Sequence, residues 1–283
     1  IVRQIIQIEK PDAILLITDP RYFTHIFNIE HEIRKNIPIA YLNIWDDYPA
    51  PMYNQAFYES CDLLMGISKQ TVNINRIVLD DRIGNRILKY VPHGLNHEHY
   101  FPVKEDDPKF LDFKKTVLGP DAETTKFVAF FNSRNIRRKQ IPDTMVAFRS
   151  FLDSLPEEEA KHCMLLTSNE GWGLTITEAI LSGTPIIANT TGGMQDQMRF
   201  VDENGNWFTP NPDVPSNHRG TYKEHGEWAF PVYPTSRSMQ GSPPTPYIYD
   251  DRCAWEDATE RLKECYKLGR KELKRRGKLG REW

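Results

Sequence analysis

The chain has only four cysteines in 283 residues, Cys61, Cys163, Cys253 and Cys265, and none is spaced as a zinc ligand set or a redox pair. No disulfide framework or thiolate metal centre is therefore expected, and the four read as buried free thiols. No apolar run approaches the roughly 18 residues needed to span a bilayer. Ile1-Val2-Arg3-Gln4-Ile5-Ile6 does not read as a signal peptide, because charged residues of both signs follow at once, so a reducing cytoplasm is the expected setting. A net charge of −3 gives no overall pull toward polyanions. The mean hydropathy of −0.57 is low for an α/β protein, although 39% hydrophobic residues still supply globular cores.

What is present is concentrated in Asn169-Glu170-Gly171-Trp172-Gly173-Leu174-Thr175-Ile176-Thr177-Glu178-Ala179, where two carboxylates eight residues apart bracket a glycine turn and an apolar helix start. Gly171 and Gly173 allow a sharp turn and a close backbone approach to a ligand. The helix N-terminus that follows offers unpaired N–H groups and a positive dipole end to an anion such as a diphosphate. Glu178, expected on the first turn, suits a pair of sugar or ribose hydroxyls, with Glu170 on the opposite side of the ligand. Thr175 and Glu178 also fit a capping box, which would only satisfy helix donors. A cap explains neither Glu170 nor the two glycines.

Leu181-Ser182-Gly183-Thr184-Pro185-Ile186-Ile187-Ala188-Asn189-Thr190-Thr191-Gly192-Gly193 continues as helix end, tight turn, short buried strand and glycine loop. From Glu170 to Gly193 the chain resembles family 4 glycosyltransferases of the GT-B fold, with their Glu-x7-Glu motif. The resemblance implies that Glu178 holds the donor's ribose hydroxyls and that Glu170 contacts the transferred sugar. It also implies that the backbone of Gly171, Gly173, Leu174 and Thr175 cradles the diphosphate. Trp172 stands where the family usually has Phe.

Upstream, Lys126–Phe131 reads as a buried strand and 132–140 as the loop after it, with Pro142 and Asp143 opening a helix that carries Met145, Phe148, Phe151 and Leu152 at helical spacing. Arg134 and Lys139 thus sit at the carboxyl end of a strand, where open α/β sheets bind ligands. The resemblance implies that they neutralise the leaving diphosphate. The chain has no Asp-x-Asp pair for holding that phosphate through a divalent ion, so a reaction without metal or other cofactor is expected.

Three short apolar runs, 13–18, 37–44 and 63–68, suit parallel strands covered on both faces. Trp45-Asp46-Asp47 ends the second, and Asp46 occupies the place of a histidine common in the family. A contact of Asp46 or Asp47 with acceptor or donor sugar and an ordinary loop role both stay open. His93, before Gly94, reads as a turn residue more than a base. The irregular 211–249 carries Trp228, Phe230, Tyr233 and Tyr247, suited to anchoring that segment or to stacking on sugar rings.

The resemblance implies an α/β GT-B protein of two Rossmann-like domains facing a central cleft: 1–100 on the acceptor side, 101–252 binding the nucleotide sugar, and 253–283 a C-terminal helix packing back on the first domain. Parts of the usual fold are missing at the start and between 168 and 169, so a longer parent chain is expected. The reaction implied is retaining transfer from a nucleotide-sugar donor to a hydroxyl of a polysaccharide, lipid, protein or modified nucleic acid. Lys267, Arg270, Lys271, Lys274, Arg275, Arg276, Lys278 and Arg281 form either a solvated helix face or a peripheral contact with an anionic surface, membrane lipid or nucleic acid. A nucleotide-sugar epimerase and a non-catalytic binding module are the alternatives to transfer.

Overall fold

The short apolar runs become parallel strands, and the chain divides into two units. The computed structural model describes residues 1–133, 139–168, 174–242 and 245–283. Unit 1 comprises Ile1–His93, Trp207–Asn217 and Met239–Tyr249, and unit 2 comprises Gly94–Asn206, His218–Ser238 and Asp250–Trp283.

Unit 1 is built on β1 (Ile14–Ile17), β2 (Ile39–Asn43), β3 (Leu63–Gly66) and β4 (Ile87–Tyr90), hydrogen-bonded in that order and all parallel. Its helices are α1 (Val2–Glu9), α2 (Thr24–Phe27), α3 (Glu30–Ile33), α4 (Gln55–Glu59) and α5 (Lys69–Leu79). The register sets Leu16 opposite Tyr41 and Tyr41 opposite Leu64, and all three side chains enter one core with Ile39, Tyr58, Ile74 and Val78. Ser68 caps α5 by accepting a hydrogen bond from Thr71 N at 3.0 Å, which fixes where that helix leaves β3. Asp62, ahead of β3, accepts from Arg34 Nη2 at 2.8 Å and from Ile39 N at 2.9 Å, tying the end of α3 to the start of β2.

Unit 2 contains α6 (Pro108–Leu118), β5 (Phe127–Asn132), α7 (Ile141–Asp153), α8 (Glu157–Ala160), β6 (Cys163–Ser168), α9 (Leu174–Leu181), β7 (Ile186–Asn189), α10 (Met194–Gln197) and β8 (Ala229–Val232). β9 (Pro234–Ser242) and β10 (Thr245–Cys253) follow in sequence, with Met239–Tyr249 counted in unit 1, and α11 (Trp255–Glu282) ends the chain. Among the described residues the strands form separate two-stranded sheets, β5 parallel to β6, β7 parallel to β8, and β9 with β10. α11 packs against α7, α9, β7 and β8. Leu262, Ala147, Phe148 and Phe151 close the core beneath β5.

Three expectations are corrected here. β1 and β5 are apolar on both faces but covered on one: Leu15 and Ile17 are 57% and 47% exposed, and Phe130 is 65% exposed. Such faces are what a further layer would cover, in keeping with missing parts of the fold. The segment 211–249 is not irregular throughout, because β8 and most of β9 and β10 lie in or across it. Its Trp228 and Phe230 are core residues at 5% and 2% exposure, so anchoring is the role they fill. Finally, Cys61, Cys253 and Cys265 are buried free thiols, but Cys163 is only half-buried.

Candidate functional site

In unit 2 polar side chains join the segments that follow β5 and β7 to β10. Asp251 of β10 is the hub. Its Oδ2 accepts from Thr191 Oγ1, in the loop after β7, at 3.2 Å. Its Oδ1 accepts from Arg237 Nε at 2.6 Å, and its backbone carbonyl accepts from Gln140 Nε2 at 3.1 Å. Gln140 lies between Lys139 and the start of α7, with a left-handed backbone at φ 50. Beside it, Arg252 makes a forked pair with Asp143 in the first turn of α7, the shortest leg being 2.8 Å. The loop after β5, the loop after β7 and β10 are therefore held to one another by hydrogen bonds rather than by sheet pairing. Asn132 Oδ1 and Thr190 Oγ1, one at the end of β5 and the other just past β7, are buried without a partner among the described residues. Buried orphan acceptors of this kind call for a ligand or water.

α9 carries the second glutamate. Glu178 is its fifth residue, on the second turn rather than the first, and its Oε1 accepts from Tyr100 Oη at 3.0 Å. Thr175 lies inside the helix and not at its cap, so Thr175 and Glu178 do not form a capping box. Just before Glu178, Thr177 Oγ1 donates to Gln197 Oε1 at 2.8 Å and ties α9 to α10. A carboxylate offers about four acceptor positions. Tyr100 fills one of them, and a pair of vicinal hydroxyls suits the remainder.

Lys139 is half-buried at the end of the loop after β5, and Leu174 and Thr175 are half-buried at the start of α9. Arg134, Glu170, Gly171 and Gly173, with Trp172, lie outside the described residues.

In unit 1 the carboxyl ends of β1 and β2 enclose a cavity of about 150 Å³ lined by Asp19, Tyr41, Asn43, Trp45, Asp46 and Asp47. Its floor is a buried polar network. Asn43 Nδ2 donates to Tyr58 Oη at 2.8 Å and to Asn75 Oδ1 at 2.6 Å, while Asn43 Oδ1 accepts from Trp45 N at 3.0 Å. Tyr41 Oη donates to Thr18 O at 2.7 Å, and Thr18 holds φ at 94, a strained value for a β-branched residue. Burial pushes the Tyr41 and Tyr58 phenols well above their ordinary range, so both remain protonated. Hydrogen bonding from Arg21 holds the Asp19 carboxyl below its ordinary value. Asp46 thus lines a cavity, and its carbonyl accepts from Gln70 Nε2. His93 lies exposed in the loop after β4.

The basic residues of α11 make mostly internal bonds. Arg270 and Lys274 pair with Glu105, Arg275 with Glu227 and Glu272, and Arg276 with Glu272. Arg281 donates to the carbonyls of Tyr100 and Leu181. No helix among the described residues is long and apolar enough to cross a membrane.

Sequence reading did not single out Tyr100, Arg237 or Asp251. Tyr100 lies just before Pro102 in a stretch without helical or strand patterning, and Asp251 belongs to an adjacent carboxylate pair like Asp46-Asp47. Neither carries a local signal of its partner.

This architecture is an α/β fold with parallel sheets of the GT-B class. Two structures of HepE from Anabaena, in complex with UDP and glucose and with UDP-glucose, match 99% of this chain at a TM-score of 0.60 and 13% identity, over 75% and 76% of their own chains. The α,α-trehalose-phosphate synthase (UDP-forming) of Burkholderia vietnamiensis matches 94% of this chain and 67% of its own, at a TM-score of 0.53 and 9% identity. At these identities the likeness shows the fold. No sequence-family profile matches the chain, and no curated protein sequence does.

Proposed function

We propose that this chain is a GT-B glycosyltransferase that moves a sugar from a nucleotide-sugar donor to an acceptor hydroxyl, with retention at the anomeric carbon and without a metal. The observation that carries the reading is the Glu178 carboxylate, oriented on α9 by Tyr100 within a fold matched over nearly the whole chain by HepE bound to UDP-glucose. UDP is accordingly the first nucleotide to test. Glu178 receives the ribose hydroxyls and Glu170 the transferred sugar. The backbone of Gly171, Gly173, Leu174 and Thr175 holds the diphosphate at the start of α9. In the reaction the bond from the anomeric carbon to the diphosphate oxygen breaks and a bond to the acceptor oxygen forms on the same face. The acceptor proton passes to the departing diphosphate. Arg134 and Lys139 stabilise the charge that develops there. Asp46, in the cavity of unit 1, takes hydroxyl groups of the acceptor.

Product analysis by NMR after incubation with UDP-glucose and a mixture of hydroxyl acceptors tests the reading. Release of UDP with a new glycosidic linkage of unchanged anomeric configuration supports it. Interconversion of donor sugars without acceptor points to epimerisation instead. Donor binding with no turnover reduces the chain to a binding module.

A further inference from the structure

We propose that Tyr100 is a positioning residue for Glu178, and that the end of the C-terminal helix holds it in place through Arg281. The inference rests on the reading of Glu178 as the residue that receives the donor's ribose hydroxyls.

A glutamate on a helix surface has several rotamers, and fixing one costs side-chain entropy. A hydroxyl donor to the carboxylate selects one of them through a charge-assisted hydrogen bond. Tyr100 supplies that donor at 3.0 Å. Its own segment, 91–104, contains no helix or strand, and a turn bond from Tyr100 N to Asn96 O at 3.2 Å is its local backbone tie. Arg281 holds the carbonyl side of the residue. Its Nη1 donates to the Tyr100 carbonyl at 3.1 Å and also to the carbonyl of Leu181, the last residue of α9. One guanidinium group therefore joins the Tyr100 backbone to the carboxyl end of the helix that carries Glu178. Leu181 O is one of the carbonyls a helix end leaves unpaired, so the bond also completes α9.

Arg281 is itself fixed by backbone packing. A Cβ on Gly277 would overlap the carbonyl of Gly183, in the turn after α9, and a Cβ on Gly280 would stand 2.7 Å from Trp228 Cγ. Both glycines are buried. The last turns of α11 can approach α9 and β7 this closely only because those two positions carry no side chain. Residues 100 apart in sequence, Leu181 and Arg281, are thereby brought to one hydrogen bond, and the arrangement ends on the Glu178 carboxylate.

The test compares wild type, Tyr100→Phe, Arg281→Gln and Glu178→Gln by titration calorimetry with UDP and with 2′,3′-dideoxy-UDP, GDP and ADP serving as parallel nucleotides. Tyr100→Phe keeps the ring and removes only the hydroxyl. The expected result is a UDP Kd raised about tenfold, the size of one hydrogen bond to a charged group. The preference for UDP over its dideoxy analogue should shrink by the same factor, with an unchanged melting temperature. Arg281→Gln should shift the preference in the same direction, and combining it with Tyr100→Phe should add little. A merely structural role for Tyr100 would move the melting temperature and leave the ribose preference intact. If Tyr100→Phe and Arg281→Gln keep the wild-type preference while Glu178→Gln loses it, the positioning role is wrong and the donor site stands. If Glu178→Gln also keeps the preference, or no nucleotide binds wild type, the donor-site reading fails and this proposal falls with it.

Discussion

The backbone of Gly277 in α11 lies directly against the carbonyl of Gly183, close enough that a methyl group on Gly277 has no room. Helix propensity alone would make Gly277→Ala stabilising by about 1 kcal/mol. Forcing a methyl into a packed contact costs about 1–3 kcal/mol, so the contact term wins. Gly277→Ala should lower the melting temperature, and a raised one would show that α11 can move off the turn freely.

Asn43 holds four partners in the core of unit 1: Tyr41, Tyr58, Asn75 and the backbone N–H of Trp45. Asn43→Leu leaves buried polar groups unpaired, each costing about 1–3 kcal/mol. A loss of roughly 3 kcal/mol in urea denaturation is expected. A change under about 0.5 kcal/mol would mean that water replaces the amide at the cavity edge.

Glu272 and Asp62 are two of the carboxylates whose lowered values contribute to the acid limb of stability. Hydrogen bonds from Arg275, then Arg276, hold Glu272 at about 2, below its ordinary 4.5. Burial raises the Asp62 carboxyl, but Arg34 and the Ile39 N–H outweigh it and leave it below its ordinary value. Both folded values lie below the unfolded ones, so the Glu272 contribution is complete above about pH 4.5 and fades as pH falls toward 2, and that of Asp62 is lost as pH falls below its ordinary 3.8. Glu272→Gln should flatten the melting temperature between those limits. An unchanged slope would show that Glu272 forms no such pairs in solution.

Removing the cations proposed for the leaving group should act on turnover more than on binding. Arg134→Ala or Lys139→Ala is expected to lower kcat on the order of 100-fold or more, as the loss of an oxyanion-hole donor does. Wild-type kinetics in either variant would take that residue out of the site.

Much of the fold was legible because uninterrupted apolar runs of strand length recur between helical patterns. The runs at 13–18, 37–44, 63–68 and 126–131 all coincide with strands, offset by a residue or two at the ends. β9 and β10 were not legible, since Pro234–Ser242 is mostly polar and exposed and shows no core-facing alternation. Of the proposed site, Glu178 and Lys139 were singled out by glycine turns and a strand end. Tyr100, Arg237 and Asp251 act through partners 14 to 111 residues away, a relation that only the fold creates. The coverage of β1 and β5 was misjudged because an apolar strand pattern records what a residue suits, not what is present to pack on it.

The most direct test of the central claim is a thermal-shift comparison of wild type and Glu178→Ala with UDP, GDP, ADP and CMP, each alone and as its common sugar conjugate. A ligand at 100 times its Kd adds about 2.7 kcal/mol, a shift of several degrees for a domain of this size. One nucleotide, expected to be UDP, should stabilise the wild type by that amount and the variant far less. Equal stabilisation of both, or of neither by any nucleotide, would contradict a nucleotide-sugar site at Glu178.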